Sequence, residues 1–81
     1  MNIIDEQLTK VLTKNFFVNP LAVQPNKYFY KDLGLNSLEF LEMVVSIETF
    51  FGVNIPDEQL DKLKTVRQMS ECVDKLLLVG A

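Results

Sequence analysis

The 81-residue chain has no histidine and no tryptophan, one cysteine, three glycines and three prolines. Without histidine there is no Ser-His or Cys-His dyad and no imidazole zinc site. Cys72 alone cannot close an internal disulfide or build a thiolate metal centre, which suits a reducing, cytoplasmic setting. No twelve-residue calcium-loop pattern occurs, so no metal is expected. The longest apolar run, Leu76 to Ala81, is far too short to span a membrane. The opening Met1-Asn2-Ile3-Ile4-Asp5 lacks the charged and apolar regions of a secretory leader.

Basic residues are also missing from one long interval. Between Asp32 and Asp61 stand seven acids (Asp32, Glu39, Glu42, Glu48, Asp57, Glu58, Asp61) and no lysine or arginine. The remainder carries all eight basic residues against four acids, so a −7 segment sits inside a +4 remainder. That segregation argues against nucleic acid and for a basic protein partner meeting the middle of the chain. With 48% hydrophobic and 23% charged residues, the chain can build a core. Its length predicts a single domain over 1–81, read as a monomer.

Ile4, Leu8, Val11 and Leu12 recur at helical spacing and predict an amphipathic helix ending before Asn19-Pro20. From Phe16 to Gly34 the period fails. Phe16, Phe17, Leu21, Val23, Tyr28, Phe29 and Leu33 are the side chains expected to pin this long loop across the bundle. Asn36 with Glu39 three residues on reads as a capping box, opening a helix that runs to Phe51 and stops at Gly52. Pro56-Asp57-Glu58 opens a short helix that turns Leu60 and Leu63 inward. Thr65 with Gln68 repeats the box for a last helix with Val66, Met69, Val73, Leu76 and Leu77 as its apolar set. The chain therefore reads as all-α, a small four-helix bundle of three longer helices and one short one, with a long ordered first loop.

The second helix has two apolar stripes. Phe40, Met43, Val44, Ile47 and Phe51 form the one that faces the core. Leu38, Leu41 and Val45 fall on the opposite side, flanked by Glu42 and Glu48, with Glu39 further round. An acid-rimmed apolar strip on a helix that already has a core face reads as a docking surface, although single exposed Leu and Val residues are also ordinary on small domains.

Ser37 follows the cap. Since Asn36 can satisfy the free amides, the Ser37 hydroxyl is available at the positive end of the helix, where an attached phosphate would be stabilised. A plain first-turn serine fits the same position. Lys27 or Lys31 as a base for a hydrolytic Ser37 has no spacing to support it. Cys72 reads as a small apolar thiol of the last helix, with a reactive thiol as the other reading.

Asp32-Leu33-Gly34-Leu35-Asn36-Ser37-Leu38-Glu39 resembles the D-L-G-x-D-S-L signature of acyl carrier proteins. Phe29, Glu42, Glu48, Ile55-Pro56-Asp57-Glu58 and Thr65-Val66 fall at family-like spacings, so the resemblance covers essentially the whole chain. It implies a non-catalytic carrier of acyl intermediates for fatty acid or polyketide-type biosynthesis. By this resemblance Ser37 receives 4′-phosphopantetheine from coenzyme A through a phosphopantetheinyl transferase, and the thiol of that arm holds acyl groups as thioesters. It also implies that acyl-transfer, condensing and other acyl-processing enzymes dock through basic patches on Asn36, Leu38, Glu39, Leu41, Glu42, Val45, Glu48, Asp57 and Glu58. Phe29, Ile47, Ile55, Leu60 and Leu63 become expected walls of an acyl pocket, or plain core. One departure is Asn36, where the family usually has Asp: capping survives and one charge is lost, which leaves weaker recognition by the transferase, a matched transferase or a secondary pathway as readings. An unmodified docking module, an amino-acyl or peptidyl carrier and a lipid-binding or hydrolytic enzyme are the competing readings.

Overall fold

The computed structural model describes residues 3–79. Its elements are α1 (Ile3–Phe16), α2 (Ser37–Phe51), α3 (Asp57–Leu60) and α4 (Val66–Val79), with a single 3-10 turn at Pro20–Ala22. Among the described residues there is no strand, and α1 packs against both α2 and α4. Of the described residues, no helix is long and apolar enough to cross a membrane.

Each long helix exists because its sequence places one apolar stripe toward a shared core. Ile4, Leu8, Val11 and Leu12 are buried from α1; Phe40, Met43, Val44 and Ile47 from α2; Val66, Met69 and Val73 from α4. Asp5 and Glu6 in the first turn of α1 and Lys14 in its last complement the helix dipole. Leu76 is half-buried, and Leu77, expected in the core set of α4, stands on its rim. Leu60, the last residue of α3, is half-buried, and Leu63 in the turn beyond it is buried.

The long first connection is ordered by four of the seven side chains expected to pin it. Val23 and Phe29 are buried, and Phe16 and Leu33 pack partly against the core. Phe17 is 91% exposed and Leu21 80%, and Tyr28 also faces solvent. Val18 and Leu35 are buried from this connection. The reason is local geometry. Phe17 adopts a left-handed φ of 59° where the chain leaves α1, and the Val18 amide then donates to the Leu12 carbonyl at 3.1 Å. Leu21 lies in the 3-10 turn, where its amide donates to Asn19 Oδ1 at 2.9 Å.

The far end of the connection is sewn to the start of α4. Tyr28 and Thr65 form an isolated antiparallel bridge. The Phe29 amide donates to the Lys64 carbonyl and the Val66 amide to the Lys27 carbonyl, each at 3.0 Å. Inside this clasp the Phe29 ring meets Phe40 of α2 edge-on, with centroids 5.5 Å apart. Phe29 thereby fixes the height of α2 against the connection that precedes it.

Candidate functional site

The start of α2 is built within a few residues. Tyr28 donates its amide to Asp32 Oδ2 at 2.8 Å, closing the turn, and Gly34 takes a left-handed φ of 75°. Buried Leu35 then anchors the chain one residue before the cap. Asn36 is extended, and both halves of the capping box are present. Glu39 donates its amide to Asn36 Oδ1 at 2.8 Å, and Asn36 its own to Glu39 Oε1 at 3.0 Å. Asn36 thus caps fully, because capping needs the side-chain oxygen and no charge.

Ser37 occupies the first helical position, exposed, and its hydroxyl takes part in no side-chain hydrogen bond among the described residues. At the start of this 15-residue helix the Ser37 hydroxyl contributes no side-chain hydrogen bond to the fold of the described residues. Beside it opens a cavity of about 440 Å³, lined by Ser37, Leu41, Phe40, Tyr30, Leu60 and Leu63. Tyr30 and Phe40 form one aromatic wall, with centroids 5.6 Å apart. Of the five expected pocket residues the structure brings only Leu60 and Leu63 to this cavity. Phe29, Ile47 and Ile55 are buried in the core beneath it. Tyr28 and Tyr30 line the cavity as well, and nothing in their spacing sets them apart from the loop residues that pack inward.

The outer stripe of α2 is open to solvent, with Leu38 68%, Leu41 47% and Val45 58% exposed. Around it the acids divide into two kinds. Glu42, Asp57 and Glu58 are exposed and make no ion pair among the described residues. Glu39 and Glu48 each commit an oxygen to the fold: Glu39 to the capping box, and Glu48 Oε2 to the Ile55 amide at 2.7 Å. That second bond ties the last turns of α2 to the segment entering α3, a role for Glu48 that its sequence position does not announce.

A larger, more open groove of about 650 Å³ runs between α1 and α2, lined by Lys10, Lys14, Val45 and Phe50 among others, and Ser37 is not part of it. Cys72 is half-buried on α4. Burial pushes its thiol above the ordinary value, against a smaller opposing pull from Lys75, so it stays protonated near neutral pH.

The family model for the phosphopantetheine attachment site matches residues 6–73. An acyl carrier protein from Zymomonas mobilis is 36% identical over 70 residues, covering 86% of this chain and 90% of its own length. An acyl carrier protein from Thermosynechococcus vestitus is 35% identical over 69 residues, 85% of each chain.

Proposed function

Because the chain belongs to the acyl carrier protein family, non-catalytic carriers with a covalently bound phosphopantetheine, we propose that Ser37 is its attachment site. One observation carries this reading: the Ser37 hydroxyl is exposed and unbonded at a helix start whose capping is already done by Asn36 and Glu39. The residues present fit the group. An anion on Ser37 meets the free amides and positive end of α2, and the adjoining cavity offers apolar and aromatic surface. When bound, the arm supplies a terminal thiol that holds an acyl group as a thioester.

The chain's own residues then do three things. Gly34, Leu35 and Asn36 hold Ser37 outward at a fixed point. Leu38, Leu41 and Val45 give acyl-processing enzymes an apolar contact, and Glu42, Asp57 and Glu58 surround it with negative charge that attracts basic patches. Asn36 removes one charge from the rim and sets the match to a transferase. The cargo is an acyl intermediate of fatty acid or polyketide-type biosynthesis. Leu35-Asn36-Ser37 lacks the glycine-rich setting of amino-acyl carriers.

Coexpression with a broad-specificity phosphopantetheinyl transferase followed by mass spectrometry tests the reading. The expected outcome is one added phosphopantetheine, absent from Ser37→Ala. An unchanged mass with every transferase tried would overturn it.

A further inference from the structure

The cavity beside Ser37 has walls of opposite charge. Its α3 wall carries Asp57 and Asp61. Its other wall, built from the connection before α2 and the residue before the Tyr28–Thr65 bridge, carries Lys31 and Lys64. These two lysines are far apart in sequence, and the clasp brings them to one cavity through the Phe29-to-Lys64 hydrogen bond. Lys31 stands over the Tyr28 ring with its Nζ 5.1 Å from the centroid, which keeps its ammonium near this wall. Neither lysine is in an ion pair among the described residues, although both line the same cavity as the two aspartates.

On the reading that Ser37 carries the arm, we infer that Lys31 and Lys64 hold its phosphodiester and draw the first part of the arm onto the Tyr28–Tyr30 wall. An anion fixed at Ser37 is attracted by this wall and repelled by Asp57 and Asp61, so the charge pattern gives the arm a direction. The carbons next to the phosphate then meet the half-exposed Tyr30 ring, which rests on the buried Phe40. Lys31 and Lys64 are binding residues for the arm, in a cavity that shares Leu41 and Asp57 with the acid-rimmed stripe offered to partner enzymes. A partner that takes up the arm must outcompete two ammonium groups, so low ionic strength keeps the arm folded against the protein and high ionic strength frees it.

The test compares amide NMR spectra of the ¹⁵N-labelled protein before and after attachment, with attachment verified by mass. The inference expects shifts at Tyr28, Tyr30, Lys31 and Lys64 in addition to those around Ser37. These distant shifts should vanish in the Lys31→Met/Lys64→Met double variant and survive in Lys31→Arg/Lys64→Arg. They should also collapse near 1 M salt, where the screening length falls to about 3 Å. Both lysines are exposed and outside the core, so the variants fold. Attachment with shifts confined to the first turn of α2, or unchanged in the Met variant, overturns the inference alone. Failure of attachment overturns the Ser37 assignment and this inference with it.

Discussion

α2 and α4 begin with the same device and use it for opposite ends. In α2 the box is Asn36 with Glu39. In α4 it is Thr65 with Gln68, where Gln68 donates its amide to Thr65 Oγ1 at 3.2 Å and Gln68 Oε1 accepts from the Lys64 and Thr65 amides at 2.8 and 3.0 Å. The residue after the cap then parts them. In α2 it is Ser37, exposed; in α4 it is Val66, buried. One helix start is turned toward solvent and one toward the core, although their local chemistry is alike. A capping box therefore fixes where a helix begins and leaves its exposure to tertiary packing.

Exchanging the two residues breaks the comparison most sharply. Val66→Ser removes core volume and buries a hydroxyl, and should cost about 1–3 kcal/mol in urea unfolding. Removing the caps comes next. Asn36→Ala and Thr65→Ala should each cost about 1 kcal/mol, but only Asn36→Ala should slow transfer of phosphopantetheine, read by a time course of mass increase. Equal slowing by both would mean that the site answers to global stability and not to its own helix start. Ser37→Val should change stability by less than about 0.5 kcal/mol while abolishing attachment. The smallest effect concerns Cys72, on the inward-facing helix. Its alkylation by iodoacetamide should rise at higher pH in the folded protein than in urea, since burial raises the folded pKa and the thiolate is the nucleophile. By the same sign, its contribution to stability is present below the unfolded thiol pKa and is lost as pH climbs through the raised folded value.

What the sequence revealed and concealed follows from the range of the interactions involved. Both capping boxes, the Gly52 stop and the two stripes of α2 depend on residues within a turn or two of one another, and all are legible as spacing. The exposure of Phe17 and Leu21 is not legible, because irregular backbone has no period to assign a face and an aromatic residue does not signal a left-handed φ. The cavity walls are illegible in the sequence for a different reason. Tyr28, Tyr30 and Lys64 share a surface only because a bridge forms between distant segments, whereas Phe29, Ile47 and Ile55 looked eligible because core and pocket residues have the same composition. Glu48 shows both limits: its place on α2 was clear, but its bond to the Ile55 amide needs the chain to return.

The Tyr28–Thr65 bridge also makes the cavity a long-range property of the chain. It encloses all of α2 and α3 in one loop, closed only by the segment entering α4. Closing that loop costs entropy that no contact within α2 repays. A chain cut before α4 would keep Ser37 and its capping residues but lose the wall that bears Lys64.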